Sequence, residues 1–113
     1  MVQHLSGSWF DRRVDFAGQE IGGITLMDRS GIEYSAATVS SGKAVCQVDN
    51  EPATFASCFP LNKPYWALFV MSGGRWRSAS GGVSDVQVRD GEAIGWHYVP
   101  SGSSSPAPPP SPR

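Results

Sequence analysis

The chain has 113 residues, including 13 glycines and nine prolines, and its formal net charge is −1. This length suits one domain with a single small core, and the many turn-forming residues favour short strands over long helices. Nine basic residues against ten acidic ones, with no basic stripe, argue against nucleic acid as a partner. No apolar run approaches the roughly 20 residues that a transmembrane helix needs, so no membrane segment is predicted.

The first half of the chain predicts short strands and one helix. Alternating or β-branched residues predict strands at residues 2–5, 9–16, 32–36 and 44–48. Residues 24–30 predict about two turns of helix, and Gly31 supplies a left-handed C-terminal cap. Such a short helix is not stable alone, so we expect it to pack on the sheet. Residues 38–43 are typical of a loop, and residues 53–63 of an irregular segment.

Residues 64–98 hold three of the four tryptophans and two of the three tyrosines. Turn signals at residues 72–74, 81–82 and 90–91 divide this stretch into runs that are typical of consecutive antiparallel strands. Residues 65–71 are apolar on both faces, which predicts a central strand that is covered on both sides or lines a site. In the run 93–99, the small Gly95 leaves space for a neighbouring backbone or a ligand.

These aromatic strands supply the candidate binding residues. Trp66 and Trp96 are better explained as core side chains of a small β-rich domain than as binding residues. Trp76 lies between two arginines, next to a glycine turn, and is the best candidate for an exposed aromatic side chain that contacts a flat ligand or a protein partner. The candidate ligand-binding residues are Tyr65, Arg75, Trp76, Arg77, Trp96 and His97.

Cys46 and Cys58 are the two cysteines of the chain. One interpretation is a pair of buried thiols that act as small hydrophobic residues. A metal site is disfavoured, because this spacing with two distant histidines is not a zinc pattern. In a small domain of low charge we predict a disulfide, which would stabilise the fold by about 3 kcal/mol in the chain-entropy model.

The sequence offers no recognisable catalytic machinery. It has no nucleophile elbow, phosphate loop or spaced set of metal ligands, and its acidic residues are scattered singly. His4 and His97 are better explained as polar strand residues than as bases or metal ligands. We therefore expect a protein that is not an enzyme, with no catalytic residues, metal or cofactor.

Residues 101–113 differ from the rest in composition. They read SGSSSPAPPPSPR and hold five prolines and no apolar side chain larger than alanine. A segment of this kind cannot build a core, so the chain divides into a domain at residues 1–100 and a linker or disordered tail at residues 101–113. Two interpretations stay open: an ordinary disordered terminus, or a stalk that leads to an anchor beyond Arg113.

Several motifs together resemble a family of small bacterial surface domains of the actinobacterial type, which look like the C-terminal β-domain of intrinsic factor and transcobalamin. The matching motifs are the helix end Ser30-Gly31, Cys46, Tyr65-Trp66, the hairpin from Gly74 to Gly81 and the closing unit from Val88 to Trp96. The resemblance implies an α+β fold, with a small β-grasp-like mixed sheet and one short helix. It also implies that a signal peptide is removed and that a proline-rich stalk follows the domain.

The resemblance implies a non-enzymatic extracellular or cell-surface module that binds a small molecule of the corrinoid class, to which cobalamin belongs. In intrinsic factor and transcobalamin the corrinoid lies between this domain and a large helical domain, and no helical domain is evident in this sequence. The alternative is a stalk-displayed interaction or scaffold module with a cell-surface protein as its partner. The aromatic candidates are compatible with either function.

Overall fold

The computed structural model describes residues 1–39, 42–55, 58, 62–79, 82–102 and 105–112. Within these residues the elements are β1 (Val2–Gln3), β2 (Trp9–Phe10), β3 (Glu20–Gly22), α1 (Gly23–Ser30), β4 (Tyr34–Val39), β5 (Gly42–Val48), β6 (Tyr65–Ser72), β7 (Arg75–Ser78), a 3₁₀ turn (Val83–Asp85), β8 (Gln87–Arg89) and β9 (Ala93–Val99). Parts of the predicted irregular segment, of the second glycine turn and of the tail lie outside the described residues. No helix in the described ranges is long and apolar enough to cross a membrane.

The largest sheet has five strands in the order β2-β1-β9-β6-β7. Strand β9 lies at its centre, antiparallel to β6 over seven residue pairs and parallel to β1. Strands β6 and β7 form the predicted hairpin around the Gly73-Gly74 turn. With one short helix beside this mixed sheet, the predicted α+β class is confirmed.

Two smaller antiparallel sheets complete the fold, and they correct several predictions. Strands β4 and β5 pair Thr38 with Lys43 and Val39 with Gly42, so the loop predicted at residues 38–43 is wrong at these four positions. Residues 40 and 41 lie outside the described residues. Strand β8 pairs with the short β3 rather than with its chain neighbours. The turn at residues 90–91 therefore does not join two paired strands. The long strand predicted at residues 9–16 is also wrong, because pairing is limited to Trp9–Phe10.

Helix α1 matches its prediction closely. It ends at Ser30, and Gly31 has a left-handed φ of 76°, as the predicted C-terminal cap requires. At the other end, Gly23 approaches the 3₁₀ turn so closely that a Cβ would overlap the carbonyl oxygen of Val83. The backbone amide of Gly23 donates a hydrogen bond to the Val86 carbonyl at 2.8 Å. This close approach anchors the helix to the segment that precedes β8.

One face of the large sheet packs against the helix and the smaller sheets and forms the main core. The alternation predicted for β6 and β9 is confirmed, since Trp66 and Val70 share this inner face with Ile94, Trp96 and Tyr98. The buried members of this core are Val2, Ile21, Met27, Val45, Val48, Trp66, Val70, Val83, Val86, Val88, Ile94, Trp96 and Tyr98.

The opposite, outer face carries a second apolar cluster. Ala67, Phe69 and Val99 are buried there, and Tyr65 and Trp76 pack against them. Since β6 is apolar on both faces, its prediction as a central strand covered on both sides is confirmed.

The predicted disulfide between Cys46 and Cys58 is present. It joins strand β5 to the segment that precedes β6, and its Cα atoms are 4.2 Å apart. Cys46 is buried, so the bridge fastens this segment to the core. The interpretation of the two cysteines as separate buried thiols is therefore wrong.

The two faces of β6 lead to a prediction about its first tryptophan. Trp66 is 8% exposed, its ring centroid lies 4.7 Å from that of Tyr98, and its indole nitrogen donates a hydrogen bond to the Glu51 carbonyl at 2.8 Å. We expect Trp66→Ala to reduce the free energy of unfolding by about 3–5 kcal/mol, measured by urea denaturation.

Trp9→Ala is the matched control, because Trp9 is 37% exposed on the short edge strand β2. Its expected cost is about 1 kcal/mol or less. Equal losses in the two variants would contradict the assignment of Trp66 to the core.

Candidate functional site

An open cavity of about 590 Å³ lies beside the disulfide. We call it the disulfide cavity. Its walls include the Cys46–Cys58 bridge and four aromatic side chains, which are Phe55, Tyr65, Trp66 and Tyr98. Lys63 also lines it and supplies a positive charge. Apolar walls with a few polar groups are the usual composition of a small-molecule site, and the volume falls within the common range of about 300–1,000 Å³.

Three parts of the chain bring these walls together. Tyr65 and Trp66 begin β6, and Tyr98 lies near the end of β9, directly opposite Trp66 in the antiparallel register. Phe55 lies in the segment that the disulfide holds against β5, and it is 42% exposed. An aromatic side chain held this open to solvent offers apolar surface to a ligand.

Burial raises the pKa of Tyr98, and the nearby negative charge of Glu51 raises it further. The phenol therefore stays neutral at physiological pH, and its hydroxyl keeps a proton that it can donate. The cavity thus presents a neutral phenol and a cationic amine beside its aromatic walls.

A tight turn at residues 49–51, with charged side chains, contacts the cavity wall through Trp66. Asp49 and Asn50 both have a positive φ, which short polar side chains tolerate best. The ring nitrogens of His4 contact carboxylate oxygens on both sides, Glu51 at 2.7 Å and Asp49 at 2.8 Å. Because carboxylates only accept hydrogen bonds, both nitrogens must donate, and His4 is therefore protonated in this arrangement. The Glu51 carbonyl in turn accepts the indole hydrogen bond of Trp66.

A second open cavity, of about 610 Å³, lies between the end of the helix and the turn that leads into β9. Charged side chains of both signs line it, including Arg13, Arg89 and Glu92. This mixture favours a hydrated cleft over an apolar binding site. The larger cavity is therefore the weaker candidate.

The six predicted site residues do not form one site. Tyr65 lines the disulfide cavity, and Trp76 and His97 lie on the outer face of the sheet. Trp96 is 4% exposed in the core, with its indole nitrogen 3.2 Å from the sulfur of Met27. The remaining two, Arg75 and Arg77, are exposed on the edge strand β7. They flank Trp76, so their side chains project from the opposite face of that strand.

Sequence reasoning did not single out Phe55, Lys63, Trp66 or Tyr98 as binding residues. Trp66 and Tyr98 occur in regular strands, where a core role explains them equally well. Phe55 offered a weak signal, because a large aromatic residue in a segment without strand or helix pattern indicates a contact with the core or with a ligand. Its position beside the disulfide is visible only in three dimensions.

Part of the predicted tail lies against the outer face. Pro109 is buried, and a Nδ1 hydrogen bond of 2.7 Å joins His97 to the carbonyl of Ala107. A Cβ placed on Gly95 would lie 2.8 Å from Cγ of Pro109 and 2.7 Å from Cη2 of Trp76. The space predicted at Gly95 is thus filled by these two rings. Although composition predicts a linker or disordered tail at residues 101–113, Pro109 is buried.

Within the described part of the chain, no group of three or more histidine, cysteine or acidic side chains is placed to hold a metal ion. Comparisons with family models, with curated proteins and with solved structures found no match.

The charged turn predicts a pH dependence of stability. Burial lowers the pKa of His4, but hydrogen bonds and the charges of Glu51 and Asp49 outweigh it, and the net pKa is raised above its usual 6.5. Since the folded protein holds this proton more tightly than the unfolded chain, the stabilisation is fully present below about pH 6.5 and is lost as pH rises through the raised pKa.

Urea denaturation between about pH 5 and about pH 8 tests this dependence. We expect the difference in unfolding free energy between the unmodified chain and His4→Gln to be largest at the acidic end and to shrink with rising pH. A difference that grows toward alkaline pH would contradict the charged state assigned to His4.

Proposed function

We propose that this domain is a non-enzymatic binding module that takes a small molecule into the disulfide cavity. The observation that carries the proposal is the cavity itself, which has a size that suits a ligand and is lined, among the described residues, by four aromatic side chains and one lysine. Phe55 supports it further, since 42% of this apolar side chain is open to solvent. A flat apolar ligand would cover this surface and stack on the rings, which favours binding.

The walls of the cavity are held before a ligand arrives. The disulfide fixes the segment that carries Phe55, and the indole hydrogen bond of Trp66 fixes its ring on the turn at Glu51. A site whose side chains are already ordered loses less conformational entropy on binding. Binding with little rearrangement of the domain therefore follows from the proposal.

A corrinoid is the leading ligand class. The support for it is the set of sequence motifs that resemble the C-terminal domain of intrinsic factor and transcobalamin. A corrin macrocycle is broader than a cavity of about 590 Å³. It would lay one edge or face on the aromatic walls and leave the other exposed. The domain would then supply half of a site, as its counterpart does in those two proteins. We propose a β-grasp-like topology for the domain on the same resemblance.

We propose an extracellular or cell-surface location for the same module. The support is the disulfide between Cys46 and Cys58, because such bonds persist in oxidising compartments and are rare in the cytosol. A stalk at residues 101–113, leading to an anchor, remains part of this proposal.

The second candidate is a stalk-displayed module that binds a cell-surface protein. The observation that favours it is the apolar outer face, where a segment of the tail already lies on Gly95 and His97. This contact supports the outer face as a surface that holds a polypeptide segment, and proteins commonly bind other polypeptides through apolar patches.

Isothermal titration tests the small-molecule proposal. We expect cobalamin and cobinamide to bind with a dissociation constant no weaker than about 100 µM. Phe55→Ala should weaken binding about tenfold by removing one wall of the cavity, which corresponds to the loss of about 1.4 kcal/mol. Leu5→Ala is the matched control, because Leu5 is 46% exposed and does not line the cavity.

Lys63 separates the two corrinoids. Cobalamin carries a nucleotide phosphate that cobinamide lacks, so Lys63→Ala should weaken cobalamin binding and leave cobinamide binding unchanged. Absence of heat and of any change in the visible spectrum with both ligands would overturn the corrinoid assignment.

A further inference from the structure

We propose that the outer face of the large sheet is a docking groove for proline-rich segments, and that residues 105–112 occupy it as an intramolecular ligand. We call this face the outer platform and define it by Tyr65, Ala67, Phe69, Trp76, Gly95 and His97. The groove is distinct from the disulfide cavity in all of these residues except Tyr65.

The outer platform has the composition of a groove that recognises polyproline II helices. Such helices have no internal hydrogen bonds, so their carbonyls are free to accept bonds from a partner, and their proline rings pack on aromatic side chains. Trp76 and Phe69 supply aromatic surface, and the ring of His97 contacts a ligand carbonyl. Gly95 lies buried between β6 and the tail and lets a proline ring reach the sheet.

The tail lies along β9, and the spacing of its contacts matches the rise per residue of both a polyproline II helix and a β-strand. Ala107 bonds to His97, and two residues later Pro109 lies over Gly95, two residues back along the strand. Two residues of polyproline II rise about 6.2 Å, and two residues of an antiparallel strand rise about 6.8 Å. Pro112 then lines the second cavity together with Ala93, at the start of β9. The tail thus runs antiparallel to the strand, with Ala107 beside His97 and Pro109 beside Gly95.

The proline content of the tail favours a polyproline II conformation. Each proline holds φ near about −65° and has no amide hydrogen, and the residue before a proline is pushed toward extended backbone. Four of the five tail prolines, at positions 106, 108, 109 and 110, surround the two contacts with the sheet. A serine-rich tail of equal length would lose more entropy on docking and would lack the rings that fill the groove.

The fit of the tail leaves one donor of the groove unused. The indole nitrogen of Trp76 is inaccessible to solvent and has no hydrogen-bond partner among the described residues. A buried donor without an acceptor weakens the complex that contains it. A proline-rich segment that places a carbonyl on this nitrogen would bind the outer platform more tightly than residues 105–112 do.

Covalent attachment explains how an imperfect ligand stays bound. A tail joined to β9 by a few residues has an effective concentration in the millimolar range or above. A tail with an intrinsic dissociation constant of about 100 µM for the groove would therefore raise the apparent dissociation constant of a proline-rich partner at least about tenfold. The tail thus acts as a built-in competitor that limits docking to segments of matching chemistry and higher affinity.

The experiment compares two full-length, ¹⁵N-labelled chains by NMR. One is unmodified, and in the other Pro106, Pro108, Pro109 and Pro110 are replaced by serine, which preserves length and charge. The tail variant should shift the signals of the Trp76 indole and the Gly95 amide, because the rings above them are gone. A peptide with the sequence of residues 101–113 should then bind the variant saturably, at about tenfold lower concentration than it needs with the unmodified chain.

A second peptide, with the same four prolines replaced by serine, is the specificity control and should not bind. His97→Ala in the tail variant should weaken binding of the proline-rich peptide several-fold, because it removes the contact with the ligand carbonyl. A single cooperative thermal unfolding transition in each variant shows that the fold is intact.

The proposal is overturned if the tail substitutions leave Trp76 and Gly95 unshifted, or if both peptides bind equally. Binding of the peptide at residues outside the outer platform would also overturn it. These outcomes are independent of the corrinoid titration, since Phe55→Ala affects the disulfide cavity and should not change peptide binding.

Discussion

The two central strands of the large sheet are apolar on both faces, and the rest of the structure depends on covering both. The inner faces of β6 and β9 are buried against the helix and the small sheets, which together form the main core. The helix has only eight residues and lies on that one side. On the outer face, the rings of Trp76 and Pro109 cover the sheet at Gly95. A tail of unusual composition thereby becomes part of the domain's packing.

This division separates the two proposed binding surfaces. The disulfide cavity lies at one end of the β6–β9 pair, where the bridge supplies a wall that the sheet lacks. The outer platform lies farther along the same two strands, on the side away from the core. Tyr65 belongs to both surfaces, so substitution of Tyr65 would mix their effects. Phe55 and His97 each belong to one surface alone and are the side chains that distinguish them.

The regular parts of the fold could be predicted from the sequence because local chemistry determines them. Gly31 gave the end of the helix, and alternation along residues 65–71 gave the two faces of β6 correctly. The partners of the strands could not be predicted in the same way. Strand β8 pairs with β3, which is more than 60 residues away in the chain, because Ile21 and Val88 are buried in the same core. No local pattern encodes such a pairing.

The candidate site was harder to predict than the fold. Trp66 and Trp96 are core residues, and their strand pattern could not separate that role from binding. Composition indicated that residues 101–113 cannot form a core of their own, and it gave no sign that Pro109 fits above a glycine of β9. That contact depends on the absence of a side chain at Gly95, which is apparent only once the strand is placed beside Trp76.

The central claim is that the domain closes its own outer face with its proline-rich tail. The most direct measurement is a nuclear Overhauser spectrum of the unmodified, full-length chain, read at the six-membered ring of the Trp76 indole. The structure predicts cross-peaks from these ring protons to the side chain of Pro109 and to the α-protons of Gly95. Cross-peaks to Gly95 without any to Pro109, at protein concentrations where the chain is monomeric, would contradict the claim.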